Sequence, residues 1–153
     1  MRRTISILVL AAATVLSCHD DSGPTAPQQQ QTPELAGSWL GSVHYKAPVA
    51  FYYDEGSCPD QSVTVMIHQT GMAIDGTIQA ACVTAQFEAT IGPSLRVAYG
   101  TATETVNGAT YTATLTLNMV IANGAILRMI GTTTPFTSST GGQQDAIVLT
   151  LSR

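Results

Sequence analysis

Charged residues are scarce in this chain of 153 residues, since Lys, Arg, Asp and Glu together make up 10% of it. The six basic residues are too few and too scattered to form the clustered cationic surface that binds nucleic acid. Aromatic residues amount to 6%, which is too few for aromatic girdles at both rims of a membrane-embedded β-barrel. We therefore expect neither a nucleic-acid-binding protein nor a transmembrane barrel.

The sequence also lacks the residue patterns of common catalytic and metal sites. It has no Gly-x-Ser-x-Gly motif and no glycine-rich phosphate loop ahead of a helical pattern. His44 and His68 fall at distant ends of neighbouring predicted strands, on the order of 15–20 Å apart, which is too far to share a metal ion. Asp54, Glu55 and Asp60 form an acidic cluster without the alternating spacing of a calcium loop. We expect no enzymatic activity, no cofactor and no metal.

The N-terminus carries the pattern of a targeting segment. Arg2 and Arg3 precede the apolar run Ile5–Leu16, and residues 15–18 read Val-Leu-Ser-Cys. A basic start, a short apolar run and a small-residue cleavage site are typical of a secretory signal peptide. The run is shorter than the about 20 residues that a membrane-spanning helix needs.

Residues 15–18 resemble the lipobox of bacterial lipoprotein precursors. The resemblance implies a signal peptide over residues 1–17 and acylation of Cys18, so the membrane is an expected partner through the acyl chains. It also implies a cell-envelope location, and the outer membrane is favoured because His19 rather than Asp follows the cysteine. A signal peptide without lipidation is the alternative, since Leu16 is unusual at its lipobox position.

The remaining chain divides into a linker and one domain. Residues 18–34 are rich in Pro and Gln and lack an apolar period, which predicts a flexible tether. Residues 35–153 are enough for one domain with its own core. With Cys18 assigned to lipid, export to an oxidising compartment predicts a disulfide between Cys58 and Cys82.

Apolar and polar residues alternate with a period of two throughout this domain, as in a half-buried β-strand. Turn residues such as Asn107-Gly108 and Asn123-Gly124 separate the alternating runs and predict tight hairpins. Eight consecutive hairpin-linked strands predict an all-β, eight-stranded antiparallel up-and-down barrel, and a two-sheet sandwich is the competing architecture. The predicted strands lie near residues 37–45, 62–69, 73–81, 83–91, 94–105, 109–122, 125–134 and 145–152.

The second and third strands allow a prediction of register. A turn at residues 70–71 would place Ile67 opposite Ile74 and put apolar side chains on one face. The same turn would leave Cys58 and Cys82 one residue out of opposition, an offset that a bulge absorbs. A disulfide between them would then clamp the open end of this hairpin.

The start of the domain resembles the opening of lipocalins and avidin-like barrels, the calycin-type proteins. Residues 35–39, Leu-Ala-Gly-Ser-Trp, match their Gly-x-Trp motif, and the hairpin over residues 63–78 is similar to their second and third strands. In these families the early tryptophan plugs the closed end of the barrel under an arginine from a late strand. The resemblance implies that Trp39 is a barrel plug, with Arg128 or Arg153 above it in a cation–π contact.

The loop after the first strand and the barrel interior suggest binding. Phe51, Tyr52 and Tyr53 would line a barrel mouth, contact a partner protein, or fold back over the core. Ala, Gly and Val dominate many inward positions, which leaves more space than larger residues would. We expect a non-enzymatic, membrane-anchored lipoprotein that binds a small apolar ligand inside its barrel.

A protein-binding module is the alternative function. Periplasmic inhibitors of secreted metalloproteases are small eight-stranded barrels that also open with Leu-Ala-Gly-x-Trp and carry one disulfide near the second and third strands. The chain resembles them at residues 35–39 and in the positions of Cys58 and Cys82. This resemblance implies an envelope protein as partner.

Overall fold

The computed structural model describes residues 31–46, 61–81 and 83–153. These residues contain no helix, and so no helix that is long and apolar enough to cross a membrane. The strands that they form are β1 (Gly37–Lys46), β2 (Gln61–Thr70), β3 (Ala73–Gln79), β4 (Thr84–Ile91), β5 (Val97–Val106), β6 (Ala109–Ala122), β7 (Ala125–Thr133), β8 (Phe136–Ser138), β9 (Gln143–Gln144) and β10 (Ala146–Ser152).

Eight of these strands close into an antiparallel barrel in the order β1-β2-β3-β4-β5-β6-β7-β10. Pairing of β1 with β10 joins the first strand to the last, and pairing of β5 with β6 completes the ring. Every barrel strand therefore has two hydrogen-bonded neighbours, which removes the free edges that an open sheet exposes. The predicted eight-stranded up-and-down barrel is confirmed.

The barrel interior is built by the two-residue alternation of the sequence. In β6 the side chains of Leu115, Leu117 and Met119 are buried, whereas Thr114 before them and Asn118 among them are exposed. Successive side chains of a strand point to opposite faces, so the apolar set turns inward and the hydroxyl-rich set faces solvent. Each fully buried Leu or Ile contributes about 1.5–3 kcal/mol to stability.

The β2–β3 hairpin has a register that differs from the predicted one. Its turn consists of Gly71 and Met72, so Ile67 lies opposite Gly76 rather than Ile74. Gly71 adopts a positive φ of 63°, which a turn of this kind requires at its first position and which glycine adopts without strain. The predicted pairing was wrong by two residues, and because two is the strand period the inward face was still correct.

The segment from Pro135 to Gln144 is not only a connection, as the sequence predicts, but contains the short β8–β9 hairpin. The first residues of β6 extend beyond the end of β7. In this extension Tyr111 and Thr112 pair with Ser138 and Thr137 of β8. The hairpin therefore supplies hydrogen bonds to backbone groups that the barrel strands leave unpaired. Phe136 of β8 is buried against the core.

Gly41 in β1 permits a close approach to β10. A Cβ atom at this position would overlap the backbone carbonyl of Thr150 on the neighbouring strand. A glycine inside a strand commonly marks a bend at which backbones approach closely, as barrel closure requires. The contact lies in the β1–β10 pair, on which closure depends.

We predict that Gly41→Ala lowers the free energy of unfolding by about 2–3 kcal/mol, because the added methyl group displaces β10. Urea unfolding followed by the fluorescence of Trp39, the single tryptophan, measures this change. The neighbouring Ser42→Ala is the control, since Ser42 is exposed on the outer face. Equal midpoints for the two variants would contradict the close approach.

Candidate functional site

One end of the barrel, here the plugged end, is closed by Leu35, Trp39 and Arg153. Trp39 is fully buried, and its indole Nε1 donates a 2.9 Å hydrogen bond to the carbonyl oxygen of Leu35. The guanidinium carbon of Arg153 lies 4.5 Å from the centroid of the indole ring. Arg153 also donates a hydrogen bond through Nη2 to the carbonyl oxygen of Ala36. The cation–π contact thus joins the first strand to the C-terminal residue.

Of the two arginines that the sequence offers for this position, Arg153 occupies it and Arg128 does not. Arg128 lies opposite Ser152, one residue from Arg153, so both arginines are near the plugged end. Its neighbour Met129 is buried, however, and the alternation of β7 turns the side chain of Arg128 to the exposed outer face. The direction of the Arg128 side chain, which alternation along β7 turns outward, thus distinguishes it from Arg153, which follows β10 and reaches the indole ring.

Gln69 holds the chain where it enters the barrel at the plugged end. Its Oε1 accepts a 2.6 Å hydrogen bond from the backbone amide of Leu35, and its Nε2 donates a 3.0 Å bond to the carbonyl of Pro33. Leu35 itself is fully buried. The polar groups that surround Trp39 at this end are thus hydrogen-bonded, which is typical of a structural region.

We predict that Arg153→Met lowers the free energy of unfolding by about 1–2 kcal/mol, because it removes the cation–π contact and one charged hydrogen bond. Arg128→Met is the matched control and should change stability by less than about 0.5 kcal/mol. Urea unfolding monitored by Trp39 fluorescence compares them. A larger loss in the Arg128 variant would reverse the assignment.

The opposite end of the barrel, here the acidic end, brings together Tyr45, Glu104, Tyr111 and Asp145. Glu104 is 7% exposed and is the buried charged residue among those that the structure describes. It lies opposite Ala85 of β4 and Tyr111 of β6, on the inward face of β5. Tyr45 stands near the end of β1 opposite Ile147, and Asp145 directly precedes β10.

Burial controls the electrostatics of the acidic end. Removal from water raises the pKa of the Glu104 carboxyl, and a hydrogen bond from the backbone amide of Thr84 lowers it in part. Burial first, then the negative charges of Glu104 and Asp145, raise the pKa of the Tyr45 phenol to about 12. Because the two carboxylates act on the phenol, the three groups are neighbours within the same end of the barrel.

The hydroxyl oxygen of Tyr45 is buried and has no hydrogen-bond partner among the residues that the structure describes. A buried polar atom without a partner costs about 1–3 kcal/mol, so such atoms are rare in native proteins. Buried carboxyls with a raised pKa also concentrate at functional sites. The acidic end combines both features, whereas the plugged end is hydrogen-bonded around its tryptophan.

Small apolar side chains form the wall next to Glu104. Ala102 and Glu104 are successive inward residues of β5, and Ala102 lies opposite Ala113 of β6. Ala85 of β4 lies opposite Glu104. These alanines are 0–5% exposed, and Phe87 of β4 lies opposite Ala102, so larger core side chains cover this wall.

Charge is distributed unequally between the two ends. The described residues include three arginines, and all three lie toward the plugged end. Arg96 directly precedes β5, Arg128 is in the first half of β7, and Arg153 follows β10. The acidic end carries Glu104, Asp145 and Lys46 and is where β1 and β2 connect through residues 47–60, and the plugged end also carries Glu34. That connecting segment contains three acidic residues and no basic residue in its sequence.

The outer face of the barrel carries depressions. One crosses β3, β4 and β5 beside Asp75, Glu88 and Tyr99. Asp75 and Glu88 are opposite each other and exposed, and His68 lies 3.3 Å from Asp75. Both charged groups of that pair are more than half exposed, so water competes for them.

Several predicted site residues lie outside the residues that the structure describes. They are the lipidation site Cys18, the disulfide pair Cys58 and Cys82, the aromatic residues Phe51, Tyr52 and Tyr53, and the acidic cluster Asp54, Glu55 and Asp60. The two histidines of the domain, His44 and His68, are both exposed on the outer face. Within the described ranges, no group of three His, Cys, Asp or Glu residues is arranged to hold a metal ion.

Sequence reasoning missed Glu104 and Tyr45. The available signal was a glutamate at an inward position, after Ala98, Gly100 and Ala102 in the alternation of β5. A charged residue on an apolar strand face is unusual because burying a charge without a partner is costly. Comparisons with protein-family models, curated proteins and solved structures yield no match to the chain.

We predict that Glu104→Gln stabilises the protein progressively as pH rises above the ordinary glutamate range. The unfolded chain loses its Glu104 proton at the ordinary pKa of 4.5, whereas the folded protein retains it to higher pH. Wild-type stability therefore falls across the interval between these two pKa values, and glutamine abolishes that fall.

Chemical unfolding across this pH range measures the difference between wild type and variant. Glu88→Gln, which replaces an exposed carboxylate on the outer face of β4, is the matched control and should keep the wild-type decline. Parallel stability curves for wild type and Glu104→Gln would contradict a buried carboxyl at position 104.

Proposed function

We propose that the protein is a non-enzymatic, membrane-anchored binding protein that holds a small, largely apolar ligand at the acidic end of its barrel. The observation that carries this proposal is the buried, unpartnered hydroxyl of Tyr45 beside the buried carboxyl of Glu104. In an otherwise apolar interior, these groups provide the few convergent polar contacts that orient a ligand.

The architecture supports a calycin-type relationship of the lipocalin or avidin kind. Trp39 lies under Arg153 at one end, as the resemblance of residues 35–39 implies. Closure of one end leaves the other as the side from which a ligand would enter. Buried Trp39, Phe87 and the Leu and Ile side chains occupy much of the interior, so the ligand is small.

The anchoring part of the proposal rests on residues 1–34. A signal peptide over residues 1–17 and acylation at Cys18 would hold the protein in the cell envelope, with the outer membrane as the proposed location. The chain enters the barrel through residues 31–36 at the plugged end, where Gln69 binds it. The tether therefore attaches at the end opposite to the proposed ligand site.

The segment of residues 47–60 would contribute to the same site. It connects β1 and β2 at the acidic end and carries Phe51, Tyr52 and Tyr53 as proposed ligand contacts. Cys82 belongs to the connection between β3 and β4, which lies at this end as well. A disulfide from Cys58 to Cys82 would thus tie the aromatic segment to the rim of the barrel.

We predict that Ala102→Leu abolishes binding of a fluorescent fatty-acid probe, because the larger side chain of this inward residue takes interior volume beside Glu104 that a ligand would need. The exported full-length chain is titrated with the probe, and native mass spectrometry counts the ligands bound per barrel. Thr101→Leu is the matched control, since Thr101 is exposed on the other face of β5.

Unchanged probe binding by a folded Ala102→Leu variant, or a wild-type barrel that binds no probe, would overturn the proposal. The alternative function, a protein-binding module such as a protease inhibitor, has support in Leu40 and Met66, which are exposed on the neighbouring strands β1 and β2. It requires retention of an envelope protein or inhibition of a metalloprotease, with no probe binding.

A further inference from the structure

The β6–β7 hairpin extends past its neighbouring strands at the plugged end. Pairing of β6 with β5 reaches Asn118, and pairing of β7 with β10 reaches Arg128. Among the residues that the structure describes, residues 120–127, here the hairpin tip, therefore have ladder partners only within this hairpin. Apart from its Asn-Gly turn, the tip consists of Ala, Val, Ile and Leu.

A β-bulge turns Leu127 of the tip out of the barrel. The pairing register shifts between Val120 and Ile121, and Leu127 falls in this shift as an extra residue of β7. Leu127 is two residues from the buried Met129, so regular alternation would direct it inward. It is instead 57% exposed. Bulges at the rims of barrels re-aim individual side chains in this way, and such positions are often functional.

Two arginines flank the apolar side chains of the tip. Val120 is 41% exposed and lies opposite Arg128, which is exposed on the same outer face. The carbonyl oxygen of Arg96 accepts a 2.7 Å hydrogen bond from the backbone amide of Met119, which places Arg96 on the other side of Val120. Arg96 is also exposed. The tip thus presents aliphatic side chains between two guanidinium groups.

We propose that the hairpin tip docks on an anionic lipid bilayer. Leu127 and Val120 enter the boundary between head groups and acyl chains, while Arg96 and Arg128 bind the lipid phosphates. Docking of this kind is additional to the proposed acyl anchor and does not require it, so it goes beyond the proposed function. It directs the acidic end of the barrel away from the membrane.

The residue types of the tip match the layers of a membrane surface. Aliphatic side chains are stabilised when they leave water for the acyl boundary, and guanidinium groups bind phosphate with paired hydrogen bonds. The stem of an arginine can also lie along apolar surface while its charged group reaches the head groups. A stable protein complex buries about 800 Å² on each partner, far more than two exposed aliphatic side chains provide, so a bilayer is the better match.

Charge at this end of the barrel favours an anionic partner. Arg96, Arg128 and Arg153 lie toward the plugged end, where Glu34 contributes a negative charge. Residues 119–129 contain no acidic residue. An anionic bilayer attracts arginines that lie close to its surface, and salt screens that attraction.

The entry of the chain favours the same orientation. Residues 31–36 reach the barrel at the plugged end, where Gln69 binds them, and the β6–β7 turn lies at that end as well. The sequence from Cys18 to Gln31 could span at most about 45 Å when fully extended. Acylation of Cys18, which belongs to the proposed function, would therefore keep the plugged end close to the bilayer and favour a weak surface contact.

The test places a tryptophan reporter in the tip. Leu127→Trp is introduced into the exported full-length chain, whose fluorescence is measured on vesicles of brominated phosphatidylcholine with and without phosphatidylglycerol, because bromine quenches indole rings that enter the lipid. Thr105→Trp is the matched control, since Thr105 is exposed on β5 near the acidic end. Trp39 is fully buried and adds the same background to both. We expect quenching of the Leu127→Trp reporter on anionic vesicles and none of the control.

Charge variants in the same reporter chain test the arginines. Arg128→Gln and Arg96→Gln should each lower the ratio of quenched to unquenched reporter about fivefold, and added salt should lower it too. Lys46→Gln removes a positive charge at the acidic end and should leave the ratio unchanged. Hydrogen exchange of the wild type is an independent measurement: the amides of residues 120–127 should exchange more slowly on vesicles with phosphatidylglycerol than on those without it.

The outcomes distinguish the possible occupants of the tip. Quenching that requires both phosphatidylglycerol and the two arginines supports docking on lipid. Equal quenching on both kinds of vesicle, equal quenching of both reporters, or none on anionic vesicles overturns it. Slowed exchange of residues 120–127 without vesicles, in concentrated protein or with envelope proteins, also overturns it and identifies a second copy or a protein partner instead.

Failure of the proposed function is recognised separately. The intact mass of the exported chain reports acylation of Cys18, and titration with the fatty-acid probe reports ligand binding. A chain without acyl groups or without bound probe that still shows arginine-dependent quenching supports docking and contradicts the corresponding part of the proposed function.

Discussion

The structure depends on one constraint, which is that strict two-residue alternation must hold around a closed ring of eight strands. Closure gives every strand two neighbours, so a shift of one residue in any pair would turn an apolar row outward. The β2–β3 pair obeys this constraint although its turn lies one residue later than the sequence suggests. The same constraint places Glu104 inside, since it follows Ala102 at an inward position of β5.

The architecture was predictable because its signal is repeated in every strand, whereas single pairings were not. Asn107 and Asn123 with their following glycines marked two hairpins, and both asparagines adopt the positive φ that such turns require. The sequence could not decide whether Arg153 or Arg128 covers Trp39, because both lie near the same end of the barrel. They differ in that the side chain of Arg128 points to the exposed outer face of β7. The hairpin of β8 and β9 was invisible in the sequence, because its strands are too short to display a period.

The two ends of the barrel treat polar groups in opposite ways. At the plugged end Gln69, Trp39 and Arg153 satisfy one another and the entering backbone, and this arrangement stabilises the fold. At the acidic end a carboxyl and a phenol are buried with fewer partners than they can use. Sequences generally agree with their fold at every level, and local violations of that agreement concentrate at functional or strained sites. The candidate site was missed in the sequence for this reason: a residue type out of place reveals a site only once its surroundings are known.

Separation of the two ends along the barrel axis also separates the stabilising network around Trp39 from the proposed ligand site. Gln69 holds the entering chain at the plugged end, so the proposed tether would pull on this network rather than on the proposed site. At the acidic end the unpartnered hydroxyl of Tyr45 and the buried carboxyl of Glu104 cost stability, which the apolar interior supplies elsewhere. A ligand that completed those hydrogen bonds would stabilise the folded state by mass action, so occupied and empty barrels would differ in stability. That coupling follows from the buried phenol and carboxyl alone and would hold whichever small molecule completes them.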